Sequence, residues 1–303
     1  MKLIIRLAQA NYFAFFFFIS FLLPPSVFGQ TCTSSVAGPT AITCPTGYGE
    51  YLAIPCYVNG DPLAGGTTGK MDAFVVFPYT NQGKPGDATY KTPLHAAKFS
   101  TVGSVWAVAN VPSRNVFYTS ALLKRHVGLG PQGLGGLYKF DYTSGTWSSF
   151  DVDAMTGVNL GTISRTPYDG MPLGANELPP DIGSPSWDVD AYSQVGRTGL
   201  GGMDASDDGN TLWMMNLGAR ELLKLDISGT SPTLIARYSV PDPGCTNGTY
   251  RPWAVKCHLG KVYIGMICDA ASGGTAANLQ AFVYEFTPTS STWCQKASFP
   301  LNY

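Results

Sequence analysis

A repeated pattern of four short β-rich runs, recurring about every 50 residues, constrains this chain more than any other feature. The runs are rich in aromatic and β-branched residues, and Gly, Pro, Asn and Ser mark the turns between them. Three copies are complete, with runs at 106–118 and 137–152, at 202–214 and 222–240, and at 253–264 and 282–299. One four-stranded sheet cannot bury both of its faces alone. The repeat therefore predicts an all-β, β-propeller-like fold of stacked sheets.

A partial copy precedes the three complete ones. Residues 73–80 resemble 136–143, the third strand of the first complete copy, and we expect a fourth strand at about 93–101. The predicted blade units are about 71–101, 104–152, 199–240 and 251–299, with a long insertion at 153–198. Within this insertion, the alternation at 187–192 predicts one extra strand. About three and a half blades do not close a ring, because propellers have four to eight. Either residues 40–60 complete a fourth blade or the chain is the front part of a longer protein; we favour the second.

The N-terminus has the pattern of an export signal. Lys2 and Arg6 precede an apolar core at 13–23, and Val27–Gly29 offers a small-residue cleavage site, so residues 1–29 are predicted to be a signal peptide. The apolar run is shorter than the roughly 20 residues that span a bilayer. We therefore predict a secreted or cell-surface protein with no transmembrane segment after cleavage.

The mature chain divides into two predicted parts. Residues 30–70 form an irregular segment with three cysteines and weak strand signals at 51–54 and 56–58, and residues 71–303 form the propeller-like domain. The formal net charge is −1 and only 13% of residues are charged. Because nucleic-acid binding requires a basic face, this composition argues against a nucleic-acid partner.

All seven cysteines follow the predicted cleavage site, which favours disulfides in an exported protein. If a hairpin turns at 259–260, Cys268 lies beside residues 250–252, and Cys245 lies just upstream of them. The register therefore predicts a Cys245–Cys268 disulfide. No C-x-x-C pair or nearby His pair favours a metal site instead. The pairing of the other cysteines stays open: Cys32, Cys44, Cys56, Cys257 and Cys294.

Propeller topology collects several basic and aromatic side chains on one face. Loops from second to third strands and from fourth to first strands emerge there. The candidate ligand residues are Lys124, Arg125, His126, Arg197, Arg251 and Trp253. Guanidinium groups beside an aromatic ring suit an anionic or sugar-like ligand. The alternative is that these side chains hold the blade-connecting loops by hydrogen bonds.

The string at 204–209 resembles the opening of a calcium loop. Asp204, Ser206 and Asp208 would supply the oxygen ligands of a structural calcium ion, but the twelfth position is Met215 rather than Glu. Asp-Gly strings in propeller hairpins also form ordinary turns, because Asp side chains accept hydrogen bonds from local amides. We favour the turn, and no other cofactor is predicted.

Three segments carry a family resemblance: 117–138, 195–201 and 245–253. The first contains the motif K-R-H-x-G-x-G-P at Lys124–Pro131. Together they resemble the propeller-like region of large secreted bacterial surface proteins that often also carry SdrD-type B-like repeats. The resemblance covers roughly residues 70–303. It implies an extracellular surface protein of unassigned activity, in which the chain normally continues past a terminus like Tyr303.

Two classes of function fit these observations. The first is a secreted or cell-surface module with a non-enzymatic binding, adhesion or structural role, whose partners are an extracellular glycan, an anionic ligand or a surface protein. The second is a secreted propeller enzyme of lactonase or lyase type that uses the basic face around Lys124–His126. An enzyme needs convergent acids or metal ligands, and the predicted face holds mostly bases. We therefore favour the binding module.

Overall fold

The computed structural model describes residues 51–78, 83–84, 86–90 and 92–301. The predicted signal peptide, Cys32 and Cys44 lie outside the described residues. The strands are β1 (Tyr51–Pro55), β2 (Asp72–Pro78), β3 (His95–Lys98), β4 (Val105–Val111), β5 (Val116–Ala121), β6 (Gly136–Asp141), β7 (Thr146–Asp151), β8 (Leu200–Ala205), β9 (Thr211–Asn216), β10 (Glu221–Asp226), β11 (Thr233–Ser239), β12 (Tyr250–His258), β13 (Lys261–Cys268), β14 (Gln280–Thr287) and β15 (Thr292–Pro300). The α-helices in this part of the chain are α1 (Phe99–Val102) and α2 (Val189–Gln194), and 3-10 turns lie at Thr68–Lys70, Pro112–Arg114, Gly133–Gly135 and Ala276–Asn278.

These strands form four antiparallel sheets in which consecutive strands are neighbours. The first sheet contains β1–β3, the second β4–β7, the third β8–β11 and the fourth β12–β15. The first sheet has three strands, since β1 pairs with β2 and places Ala53 opposite Val76. The weak signal at 51–54 therefore belongs to a strand, whereas 56–58 lies outside one.

Side-chain alternation explains how the inner sheets stack. On β9, Leu212 and Met214 pack into the core shared with the second sheet, while Trp213 and Met215 pack into the core shared with the fourth. Side chains on a strand point to opposite faces in turn, so a sheet with two covered faces needs apolar residues at every position. This is why the strands of the repeat read as continuous apolar runs.

The first strand of each complete sheet lies on the inside of the arc. β4 contacts β8, and β8 contacts β12. The approach of β8 to β12 is close enough that a Cβ on Gly202 would lie 2.6 Å from the carbonyl oxygen of Trp253. Only glycine fits such a contact. Trp106 of β4 also reaches Trp253, with ring centroids 5.3 Å apart.

The predicted fold class is confirmed. The chain is all-β and propeller-like, with three four-stranded sheets and one three-stranded sheet. Within the described residues no strand pairing joins the first sheet to the fourth, so the ring is incomplete. Among the described residues, no other sheet therefore covers the face of the fourth sheet that points away from the third sheet.

The insertion differs from expectation at 187–192, where the alternation predicts an extra strand. The structure instead has helix α2 at Val189–Gln194, so that prediction is wrong. Asn176 Oδ1 accepts a hydrogen bond from the amide of Asp190 in the first helical turn, at 3.0 Å. The acceptor for this amide lies 14 residues away along the chain. The residues next to the helix therefore contain no capping pattern from which the helix could be predicted.

Cys245 and Cys268, the pair predicted from the hairpin register, form a disulfide with a Cα–Cα distance of 5.4 Å. Tyr250 pairs with Cys268 across β12 and β13, as the predicted register requires. Cys294 is disulfide-bonded as well, and Cys56 and Cys257 carry free thiols. Disulfides of this kind are typical of proteins outside the cytoplasm. In the part of the chain that the structure describes, no helix has the length and apolar character to cross a membrane.

Candidate functional site

The predicted ligand residues separate into two groups. Lys124–His126 lies in the loop between β5 and β6, against the insertion at 153–198. Arg197, Arg251 and Trp253 instead line an open cavity on the fourth sheet. The two groups differ in how completely their charged side chains are paired within the protein.

A buried ion pair holds the insertion against the β5–β6 loop. The Asp188 side chain has no solvent exposure, and its carboxylate accepts hydrogen bonds from Arg165 Nε at 3.0 Å and Arg165 Nη2 at 2.6 Å. Arg165 also donates to the carbonyl oxygens of Val127 and Lys124, at 2.9 and 2.8 Å. Asp188 Oδ2 accepts the backbone amide of His126 at 2.7 Å. One ion pair thus fixes both segments, because charge-assisted hydrogen bonds are strong in a dry site.

The side chains of the Lys124–His126 loop all have partners within the protein. Lys124 Nζ lies 3.9 Å from the ring centroid of Tyr57. His126 Nδ1 lies 2.8 Å from Ser186 Oγ, and that hydroxyl donates to Asn59 Oδ1 at 3.1 Å. These contacts fit the alternative in which the basic residues hold connecting loops. Ligand binding by Lys124 and His126 stays a prediction.

Arg125 supports two exposed aromatic rings, which we call the aromatic platform (Arg125, Trp187 and Tyr192). Arg125 donates to the carbonyl oxygen of Trp187 through Nε at 3.2 Å and Nη2 at 2.9 Å. Its guanidinium carbon lies 5.0 Å from the ring centroid of Tyr192. Trp187 is 67% exposed and Tyr192 is 73% exposed. Asp188 is anchored directly beside Trp187, so the backbone that carries the indole is held rigidly.

The second region, which we call the fourth-sheet cavity, has a volume of about 630 Å³. Its floor is made of small residues on the outer face of the sheet, namely Ala254, Gly265 and Ala281. Its apolar walls include Trp253, Ile267, Val283 and Phe299. Because Val262 and Ile264 point toward the third sheet, strand alternation turns Gly265 and Ile267 of β13 toward this cavity.

Three charged groups form the rim of the fourth-sheet cavity. Arg251 Nε donates to Asp269 Oδ2 at 2.7 Å. Arg197 Nη2 lies 3.9 Å from the same oxygen, which is beyond hydrogen-bonding distance, and the Arg197 side chain is 44% exposed. Burial acts to raise the pKa of Asp269, but hydrogen bonds from the amides of Thr249 and Ala271, with the hydrogen bond and charge of Arg251, lower that pKa to about 2. The rim therefore has two positive charges and one negative charge at neutral pH.

The predicted calcium ligands Asp204, Ser206 and Asp208 each have polar partners within the protein, and calcium binding by them stays a prediction. Asp204 Oδ2 accepts a hydrogen bond from the amide of Cys257 at 2.9 Å and forms an ion pair with Lys256 Nζ at 2.8 Å, so it joins the third sheet to the fourth. Ser206 Oγ donates to Asp208 Oδ1 at 2.5 Å within the β8–β9 turn. A hydrogen bond from the Ser206 hydroxyl and another from the backbone amide of Asn210 lower the pKa of Asp208. The favoured turn interpretation fits these contacts.

Sequence reasoning missed three residues at the Asp188 ion pair and the aromatic platform: Arg165, Trp187 and Tyr192. A Trp and a Tyr inside an otherwise polar, proline-rich segment are a usable signal, since large aromatic side chains in such loops have no local core to enter. Arg165 carries no comparable signal. Its role depends on an aspartate 23 residues away and on carbonyl groups from another blade.

Comparisons with known proteins give distant matches. No family model matches the chain. It is 26% identical over 297 residues to colossin-A from Dictyostelium discoideum, an alignment that covers 90% of this chain and 2% of colossin-A. It is 25% identical over 233 residues to colossin-D from the same organism, covering 74% of this chain and 22% of colossin-D. The chain thus spans a small part of these curated relatives. A bacterial origin is not shown.

Solved structures with similar arrangements share little sequence. A hypothetical selenium-binding protein from Sulfolobus tokodaii has a TM-score of 0.40 and 10% identity, over 69% of this chain and 44% of that protein. An auxiliary nutrient binding protein from Bacteroides ovatus has a TM-score of 0.37 and 11% identity, over 80% and 43% of the two chains. The fold assignment therefore depends on the four sheets themselves.

Proposed function

We propose that this chain is an extracellular, non-enzymatic binding module that contacts glycans through the aromatic platform. The observation that carries the proposal is the exposure of Trp187 and Tyr192 on a backbone held rigidly by Arg125 and Asp188. Two large exposed rings offer apolar surface that a ligand can cover, and rigid mounting lowers the entropy lost on binding.

The chemistry of the platform favours a sugar. A pyranose ring presents an apolar C–H face that packs on an aromatic ring, while its hydroxyl groups need hydrogen-bond partners. Arg125 uses Nε and one Nη2 hydrogen on the carbonyl of Trp187, which leaves other N–H donors for hydroxyl oxygens. The Tyr192 ring and these donors therefore lie side by side, as a glycan requires.

An extracellular location supports this choice. The predicted signal peptide at 1–29 directs the chain to export. The Cys245–Cys268 disulfide is stable in an oxidising compartment. Glycans and surface proteins are the partners available there, and the platform suits the former.

The alternative function, a secreted lactonase-like or lyase-like enzyme, is less well supported by the geometry. Ser186 Oγ donates its proton to Asn59 rather than to His126, so the serine is not activated as a nucleophile. The low pKa of Asp269, about 2, makes its carboxylate a weak general base. Neither candidate site holds an acid and a base in the pairing that such chemistry needs.

The test is a glycan-array screen of the purified chain, followed by titration of any glycan that binds. We expect Trp187→Ala and Tyr192→Ala each to weaken binding about tenfold, the effect of removing a well-packed contact. Tyr192→Phe keeps the ring and should retain most of the affinity.

Met171→Ala is the matched control, because Met171 is an exposed apolar residue of the same insertion outside the platform. It should leave the affinity unchanged. An array without a hit, or a hit that Trp187→Ala does not weaken, contradicts the proposal.

A further inference from the structure

We propose that the fourth-sheet cavity is a separate binding site for a small organic anion, a compound with an apolar body and one carboxylate or sulfonate group. The site shares no side chain with the aromatic platform, and the inference does not depend on glycan binding there.

The volume and lining suit the apolar body of such a ligand. A volume of about 630 Å³ falls within the range of roughly 300–1,000 Å³ that holds small molecules in proteins. Ala254, Gly265 and Ala281 leave a shallow floor, and Trp253 and Phe299 form walls on which an aromatic or aliphatic body can pack.

The charges of the rim select an anion. Arg251 is committed to Asp269 at 2.7 Å, whereas Arg197 lies 3.9 Å from the same carboxylate and remains 44% exposed. The three groups together leave one unbalanced positive charge beside an apolar surface. A guanidinium in this position can form two parallel hydrogen bonds to a carboxylate or sulfonate.

The rim is also held in place before a ligand arrives. The Cys245–Cys268 disulfide closes the segment that leads into β12. Asp269 Oδ1 accepts the amides of Thr249 and Ala271, at 2.8 and 3.1 Å. A rigid rim reduces the entropy that is lost when a ligand binds. Arg197 is the exposed group of the rim, and its side chain can turn toward the ligand.

The experiment compares two fluorescent probes with the same rings and different charge. 8-Anilinonaphthalene-1-sulfonate carries a sulfonate, and N-phenyl-1-naphthylamine lacks it. We expect the purified chain to bind the sulfonate about tenfold more tightly, since a charge-assisted contact is worth about one decade in Kd. Arg197→Gln should remove this preference and leave the affinity for the neutral probe unchanged.

Two further variants locate the site. Arg237→Gln removes a positive charge from an ion pair on β11, outside the cavity, and should change neither titration. Ile267→Glu places a carboxylate on the exposed wall of the cavity and should weaken both probes, the sulfonate more. Circular dichroism of each variant checks that the fold is retained.

The proposal is overturned if the two probes bind equally, if Arg197→Gln leaves the preference intact, or if Ile267→Glu has no effect on either probe. Glycan titrations of Arg197→Gln separate this site from the platform. They should match the wild-type chain whether or not the anion site is real.

Discussion

The aromatic platform and the fourth-sheet cavity both combine arginine with aromatic rings, but they use the arginine in opposite ways. In the platform, Arg125 donates Nε and Nη2 to a backbone carbonyl and packs on the Tyr192 ring, and the two aromatic rings are the groups most exposed to solvent. In the cavity, Trp253 is half-buried in the wall and Arg197 is the group that faces solvent. Side-chain identity alone therefore does not say which member of an Arg–aromatic pair is available to a ligand.

The difference follows from how completely each charge is satisfied. Around Asp188 every strong donor has an acceptor within hydrogen-bonding distance, which makes the region a rigid support. Around Asp269 one arginine is bound and the other is held at 3.9 Å. The Arg197 guanidinium, which is only partly paired and lies at an open apolar surface, can therefore form charge-assisted hydrogen bonds to a ligand.

The largest expected effect concerns the buried ion pair of Arg165 and Asp188. Asp188→Asn leaves the guanidinium of Arg165 in a nearly buried position without its counter-charge. We expect the free energy of unfolding to fall by about 4 kcal/mol, as when one partner of a buried pair is removed. Urea denaturation followed by tryptophan fluorescence measures it. Asp72→Asn, which breaks the exposed pair with Lys98, should cost less than about 1 kcal/mol. Equal losses in the two variants would contradict the distinction.

The next effect concerns the covalent support of the cavity. The Cys245–Cys268 bridge closes a loop with a sequence separation of 23, for which the loop-entropy relation gives about 3 kcal/mol. The double variant Cys245→Ser/Cys268→Ser should lose that amount in urea denaturation. Cys56→Ala removes a free, half-buried thiol and should have a smaller effect. A double variant as stable as wild type would show that the rim is rigid without the bridge.

A smaller effect separates the two arginines of the cavity rim. Arg251→Gln removes a short charge-assisted hydrogen bond and should lower the free energy of unfolding by about 1.5 kcal/mol. Arg197→Gln removes a charge at 3.9 Å and should cost no more than about 0.5 kcal/mol. Thermal unfolding of both variants checks the order. If Arg197→Gln is the more destabilising, Arg197 is structural and the inferred anion site loses its basis.

The stability of the fold should also depend on pH through the same rim. The folded-state pKa of Asp269, about 2, lies below its ordinary value of 3.8, so the ionised carboxylate stabilises the fold above pH 4 and this contribution is lost between about pH 4 and pH 2. Asp269→Asn should therefore lack that part of the acid sensitivity. Urea denaturation of both proteins across this range measures the difference. Identical pH profiles would mean that Asp269 is not held ionised by its partners.

Much of the fold could be predicted from the sequence because each strand of the repeat carries its own evidence. Apolar runs bounded by turn residues place the strands of the complete sheets, and the hairpin at 259–260 sets the register that pairs Tyr250 with Cys268. The extra strand at 187–192 was wrong because the conformation there depends on Asn176 and Arg165, which are distant in the chain.

The candidate site was less predictable. Topology predicts Arg197, Arg251 and Trp253 on one face of the propeller, and in the structure these residues line one cavity. It did not separate them from Lys124–His126, because the insertion at 153–198 has no repeat pattern from which its path could be traced.

The sequence by itself determined the three complete stacked sheets, the register of the hairpin at 259–260 and the reach of one disulfide. Period-2 alternation and turn residues suffice for this because they act over short distances along the chain. Only the tertiary structure decided which cations are engaged and which are available. The pair of Arg165 with Asp188 and the spacing of Arg197 from Asp269 join segments that no local pattern relates. Such contacts exist only after the sheets have stacked and the insertion has packed against them.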